Sequence, residues 1–111
     1  DGSILSGCEP KSYLVEGIGY DFFPEALDPS VIDELITVQD KYSFLTARRV
    51  IQEEGLLVGG SSGSAAWAML QAAKSLKAGD KCLVLLPDSI RNYLSKFADD
   101  EWMQAQGLIE V

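Results

Sequence analysis

Apolar positions in this chain change rhythm several times, and each change marks an element. Lys11-Ser12-Tyr13-Leu14-Val15 is aromatic and β-branched and predicts a short strand. Two glycines in Glu16-Gly17-Ile18-Gly19-Tyr20 break it. Asp28 followed by Pro29 reads as an N-cap and a first helical position, predicting a helix through about Ile36 with Asp33 and Glu34 near its start. Over 41–54, Phe44, Leu45, Ala47, Val50 and Ile51 recur at helical spacing, and Gly55 is placed to end that helix. Leu56-Leu57-Val58 predicts a brief strand. Residues 62–77 predict the longest helix, capped by Ser61 or Ser62, with Ala66, Met69, Leu70, Ala73 and Leu76 buried and Lys74 and Lys77 in its last turns. Cys82-Leu83-Val84-Leu85-Leu86 is apolar on both faces and short, which suits a central strand of a parallel sheet. Segments 90–97 and 99–106 read as short amphipathic helices.

Strand and helix in alternation predict an α/β fold, a mostly parallel sheet with flanking helices, in one domain over residues 1–111. Ligands bind such sheets beyond the carboxyl ends of the strands. Three segments follow predicted strands: 16–20, 59–64 and 87–91. All are rich in Gly, Ser, Asp or Pro.

Charge and composition narrow the chemistry. The net charge is −8, from 17 acidic and 9 basic residues, which argues against nucleic acid or an anionic membrane as partner. No apolar run approaches the roughly 18 residues of a membrane-spanning helix, and no targeting signal is visible. The abrupt polar start, Asp1-Gly2-Ser3, suggests a piece of something longer. With no histidine and only Cys8 and Cys82, no zinc spacing and no Ser-His-Asp or Cys-His arrangement exists, so no metal site is expected. Cys82 is expected in the core, and the cysteine usage fits a reducing compartment such as the cytoplasm.

Gly59-Gly60-Ser61-Ser62-Gly63-Ser64 is the most informative stretch. Glycines at a strand-to-helix junction let backbone approach a ligand, and a helix N-terminus attracts negative charge. The glycine spacing matches neither the Walker loop nor the dinucleotide fingerprint, and a flexible turn with an N-cap would serve equally. Tyr20, after two glycines, suits either the edge of a pocket or the core. In Pro87-Asp88-Ser89-Ile90-Arg91-Asn92-Tyr93, Asp88 is a natural N-cap that could also pair with Arg91. Arg48 and Arg49 are expected on a solvated helix face.

Taken in order, Val15-Glu16-Gly17-Ile18-Gly19-Tyr20-Asp21-Phe22, Glu53-Glu54-Gly55-Leu56-Leu57, the Gly59–Ser64 segment, Leu85 to Tyr93, Lys96-Phe97 and Trp102-Met103 resemble the cystathionine β-synthase family of fold-type-II pyridoxal-phosphate enzymes. The resemblance covers nearly the whole chain. The Gly-Ser segment alone indicates the wider group, including cysteine synthase; the Pro-Asp-Ser-Ile-Arg-Asn-Tyr segment points to cystathionine β-synthase.

The resemblance implies the C-terminal part of a tryptophan-synthase-β-like catalytic domain with pyridoxal 5'-phosphate as cofactor. It also implies a β-replacement joining L-serine and L-homocysteine into cystathionine, in transsulfuration and cysteine biosynthesis. Ser61 would face the pyridine nitrogen, and Gly17 and Tyr20 would line the substrate entrance. The Schiff-base lysine and the loop holding the cofactor phosphate belong upstream. None of Lys11, Lys41, Lys74, Lys77, Lys81 and Lys96 has the right context, so no catalytic residue is expected in this chain and the segment alone is expected to be inactive. A homodimer is implied, and haem is possible in the full-length protein. The alternatives are a cysteine synthase using O-acetylserine and sulfide, and a non-catalytic fragment of this fold.

Overall fold

The structure, a computed structural model, describes residues 3–110. Helix α1 spans Asp40–Glu54 and turns Phe44 and Ala47 into the core, with Leu45, Val50 and Ile51 packed partly buried beside them. Its start is fixed by Asp40, whose carboxylate accepts from the backbone N–H of Leu14 at 2.7 Å and of Val15 at 3.1 Å. That carboxylate thus ties segment 11–15 to the helix and sits where the helix dipole favours negative charge. Gly55 ends α1, its N–H donating to the Ile51 carbonyl at 3.1 Å.

Helix α2 spans Gly60–Ala72 and packs directly on α1. The crossing is close because Gly63 has no side chain. A Cβ there would lie 2.7 Å from the Ala47 nitrogen and 2.8 Å from the Ala47 Cβ, and would run into the Ser43 carbonyl oxygen. Beside it the Ser64 hydroxyl donates to the Ser43 hydroxyl at 2.7 Å, which donates in turn to the Gln39 carbonyl at 3.0 Å.

Phe44 is the hub of the core. It stacks on Phe97 at 5.3 Å between ring centroids and meets Trp102 edge-on at 5.5 Å; Phe97 in turn lies 5.6 Å from Tyr93. Val15, Val58, Met103 and Leu108 complete the cluster. Helix α3, Asp100–Ala105, is capped by Asp99, whose carboxylate accepts from the Glu101 N–H at 2.9 Å. Arg48 pairs with Asp100 and so joins α1 to α3.

Several expectations require correction. Among the described residues there is no strand, and hence no parallel sheet; the single pairing is an antiparallel bridge between Val58 and Ser89. A strand exists only through its neighbours. Segment 82–86 has none, and Leu83 and Leu85 stand 98% and 79% exposed, with no layer covering either. Cys82 is likewise exposed rather than buried. The segment after Asp28 makes one 3-10 turn, Pro29–Val31, rather than a helix to Ile36. Asp28 does cap it, accepting from the Ser30 N–H at 3.0 Å, and the Ser30 bonds hold its carboxyl below the usual range. The helix expected over 62–77 begins two residues earlier and passes at Ala73–Ser75 into a 3-10 turn. Its buried part is the serine-rich first turns and Ala66, while Leu70 and Leu76 are exposed. Segment 90–97 contains only a 3-10 turn, Ile90–Asn92, capped by Ser89 and not by Asp88. The solvated face expected for Arg48 and Arg49 holds, Arg49 being exposed and Arg48 partly so; both make surface ion pairs, Arg49 with Glu53 one turn on at 2.9 Å, which raises the arginine's pKa and lowers the glutamate's.

Two neighbouring substitutions on α2 are expected to behave oppositely. Gly63→Ala should destabilise the protein by about 3 kcal/mol or more, because the obstruction is backbone that cannot move aside. Ser62→Ala should change stability by less than about 1 kcal/mol or raise it, because the Ser62 hydroxyl is fully buried with no hydrogen-bond partner among the described residues. Denaturant unfolding of both variants checks the pair.

Candidate functional site

The serine-rich start of α2 forms part of the wall of a cavity of about 800 Å³. That lies within the range of small-molecule sites. Ser61, Ser64, Ala65 and Ala68 line it from α2, and Ser43 and Lys41 from α1. Tyr13, Val15, Ile18 and Gly19 line it from the 13–19 segment, and Leu85 and Pro87 from beyond α2. Segments 16–20, 59–64 and 87–91, expected to converge, each contribute to this wall or touch its supports.

The three serines differ in what their hydroxyls do. Ser64 donates to Ser43, so it turns only acceptor capacity toward the cavity. Ser62 points into packed protein. Ser61 is only 8% exposed, lines the cavity, and makes no side-chain hydrogen bond among the described residues. Its hydroxyl is the one on this turn with both donor and acceptor free for a ligand.

The glycines of the same segment serve packing rather than ligand approach. A Cβ on Gly59 would lie 2.7 Å from the Asp88 carboxyl carbon and 2.9 Å from the Tyr93 ring, and one on Gly60 would lie 2.8 Å from the Phe44 ring. Each glycine therefore lets another part of the protein reach the backbone. No serine caps α2; its N-cap is Gly59.

Gly17 and Tyr20 flank the cavity wall but are not in it; Ile18 and Gly19 between them are. Gly17 and Gly19 have φ of 86° and 72°, a left-handed backbone that a side chain would strain. This bends the segment so that the Tyr13 hydroxyl donates to the Gly19 carbonyl, closing a loop on the cavity side. Tyr20 is 47% exposed and lies against Phe22, ring centroids 5.1 Å apart. Glu16 pairs with Lys96, which anchors the loop's first residue to the far end of the chain.

Sequence reasoning missed Tyr13, Asp40 and Ser43. Asp40 carried a signal, an acidic residue opening a helix, but its partners are 25 and 26 residues away. None of the six lysines is buried; Lys41 lines the cavity with an exposed side chain, and Lys96 is paired with Glu16. Among the described residues no group of His, Cys, Asp and Glu could hold a metal ion, and no helix is long and apolar enough to cross a membrane.

Asp88 neither caps a helix nor pairs with Arg91. Its Oδ2 accepts from the Tyr93 hydroxyl at 2.6 Å. That bond, burial of the ring, and the nearby Asp88 and Glu16 charges push the Tyr93 pKa up to about 12. The folded state therefore holds this proton more tightly than the unfolded chain, where tyrosine titrates near 10. The stabilisation is complete below pH ~10 and is lost as pH rises toward 12. Absorbance at about 295 nm should show one tyrosine ionising late, and Tyr93→Phe should abolish that late step and flatten the alkaline loss of stability.

With the geometry in place, comparison with known proteins identifies its setting. A family model described as pyridoxal-phosphate dependent enzyme matches residues 3–88. Cystathionine beta-synthase of Dictyostelium discoideum is 53% identical over 114 residues, 98% of this chain and 23% of that protein. The Rattus norvegicus cystathionine beta-synthase is 51% identical over 116 residues, 99% of this chain and 21% of its own length. This chain thus spans under a quarter of these relatives. Among solved structures, the O-acetylserine dependent cystathionine beta-synthase of Helicobacter pylori matches with a TM-score of 0.75 and 43% identity, over 86% of this chain and 31% of that one. The chain belongs to the family of pyridoxal-phosphate dependent enzymes.

Proposed function

We propose that this chain forms part of an enzyme that condenses L-serine with L-homocysteine to cystathionine, and that Ser61 is its contact to the cofactor ring. The observation that carries the reading is the unpartnered Ser61 hydroxyl on the wall of the 800 Å³ cavity. It fits pyridoxal phosphate, whose pyridine nitrogen requires one polar partner inside an otherwise largely enclosed site. When bound, the cofactor withdraws electrons from the amino acid attached to it, which makes the α-proton acidic and the β-substituent able to leave. The protein sets how strongly. A neutral serine hydroxyl does not hold a proton on the ring nitrogen as a carboxylate would, so the ring remains a moderate electron sink and side reactions are limited.

The other residues position and enclose. Asp40 fixes Leu14 and Val15, from which Tyr13 and the Gly17–Gly19 bend project beside the cavity. Gly17 and Tyr20 form the substrate entrance in this reading, the exposed Tyr20 offering an aromatic face at the edge of the wall. The lysine that bonds the cofactor and the loop that holds its phosphate lie in the remainder of the enzyme; the uniformly unburied lysines here support that assignment. Segments 11–15, 56–58 and 82–86 complete a mostly parallel sheet with strands of that remainder. The full enzyme is a cytoplasmic homodimer in this reading. A second reading, with O-acetylserine in place of serine as the first substrate, is favoured by the likeness to the Helicobacter pylori structure, which is named for that dependence.

The test uses the full-length enzyme. Ser61→Ala should weaken cofactor binding by about 0.5–1.5 kcal/mol, the scale of one hydrogen bond. Ser61→Asp should alter the cofactor absorption band and remove most of the activity. An unaltered band and unaltered affinity in both variants would remove Ser61 from the cofactor. Turnover of serine with homocysteine, compared with O-acetylserine with homocysteine and O-acetylserine with sulfide, is expected to favour the first pair; dominance of the last would identify a cysteine synthase.

A further inference from the structure

Ser61, on the cavity wall, stands two residues after Gly59. Gly59 is held from outside the helix: its N–H donates to the Asp88 carbonyl at 3.1 Å, and the Ile90 N–H donates to the Leu57 carbonyl at 2.9 Å, so residues 57–59 and 88–90 are stitched together around the Val58–Ser89 bridge. The Asp88 side chain then folds back over the same glycine, close enough that a Cβ on Gly59 would lie 2.7 Å from its carboxyl carbon. Tyr93 fixes that carboxylate by donating to Oδ2 at 2.6 Å, and its own ring lies against the Gly59 backbone. On the next residue Phe44 presses on Gly60. Asp88 is exposed and Tyr93 is buried, so the bond satisfies the Tyr93 hydroxyl at the edge of the core and at the same time holds the Asp88 side chain in one place. The contact falls on Gly59, the N-cap of α2.

We propose that Asp88 is a positioning residue for Ser61: held by Tyr93, its carboxylate clamps Gly59 and thereby fixes where the first turn of α2 presents the Ser61 hydroxyl. The inference rests on the reading of Ser61 as the cofactor's ring contact. It assigns Asp88 and Tyr93 no contact with substrate or cofactor. Residues 88–93 act through α2.

Three variants of the full-length enzyme test it: Asp88→Ala, Asp88→Asn and Tyr93→Phe. Asp88→Ala should loosen the clamp, so that amide exchange at Gly59 and Ile90 in the cofactor-free enzyme quickens by about tenfold. In the cofactor-loaded enzyme it should shift the absorption band in the same direction as Ser61→Ala and weaken cofactor affinity several-fold. Asp88→Asn keeps a carbonyl acceptor for the Tyr93 hydroxyl and should restore most of both. Tyr93→Phe should reproduce a milder form of the Asp88→Ala shift, and it stands in if Asp88→Ala does not fold. On a Ser61→Ala background, Asp88→Ala should move the band no further. A lowered melting temperature with wild-type band and affinity in Asp88→Ala and Tyr93→Phe would overturn the proposal, leaving the contact purely structural. Unchanged amide exchange would overturn it independently of the cofactor. If Ser61→Ala and Ser61→Asp both leave the band and the cofactor affinity unaltered, the Ser61 reading has failed, and that failure is read separately from the clamp's, which the amide exchange reports.

Discussion

The approach of α2 to α1 at Gly63 is the constraint on which the rest of this structure depends. Backbone meets backbone there, with the Ser43 carbonyl and Ala47 occupying the space where a side chain would stand. That proximity brings the Ser64 and Ser43 hydroxyls within 2.7 Å, puts Phe44 against Gly60, and carries Phe44 into contact with Phe97 and Trp102. Move the helices apart by one methyl group and the aromatic cluster, the hydroxyl chain and the cavity wall all lose their register. The crossing is therefore the mechanical base of the site as well as part of the core.

How much of this was legible in the sequence depends on the range of the interaction. The stripe Phe44, Leu45, Ala47, Val50, Ile51 is a local signal, and α1 is where it says. Gly55 at its end and Asp28 before Pro29 are likewise short-range chemistry and were readable. The segments 11–15 and 82–86 have strand composition but no strand, because pairing partners are a property of the whole sheet and not of the segment. The match to relatives more than four times as long is consistent with those partners lying elsewhere in the polypeptide. Cys82, Leu83 and Leu85, in one of these segments, are apolar and exposed.

At the site the distinction is similar. The Gly59–Ser64 segment was readable as a candidate wall, and Ser61 and Ser64 do line the cavity. Its supports were not readable, since Asp40 reaches back to Leu14 and Val15, Ser64 reaches to Ser43, and Asp88 reaches to Gly59. Each is an ordinary residue whose role comes from a partner more than 20 positions away. The capping role natural to Asp88 falls to Ser89, because the Asp88 carboxylate is engaged by Tyr93.

The Gly-Gly-Ser-Ser-Gly-Ser segment looks from composition like a loop built to cradle a ligand with many small contacts. Its residues divide otherwise. Gly59 is small for Asp88 and Tyr93, Gly60 for Phe44, and Gly63 for Ser43 and Ala47. Ser64 is spent on Ser43, and Ser62 is buried without a partner among the described residues. Among the described residues of the segment, Ser61 alone keeps both donor and acceptor open to the cavity. A segment in which most positions answer to packing explains why so little tolerance is expected in it. A side chain at any of these three glycines would run into Asp88, Phe44 or Ser43, so each fixes the start of the helix that carries Ser61 to the cavity wall. Rigidity around one free polar group is also what a cofactor contact requires, since a hydrogen bond to a ring nitrogen tunes its electronics only if donor and acceptor are held in one geometry.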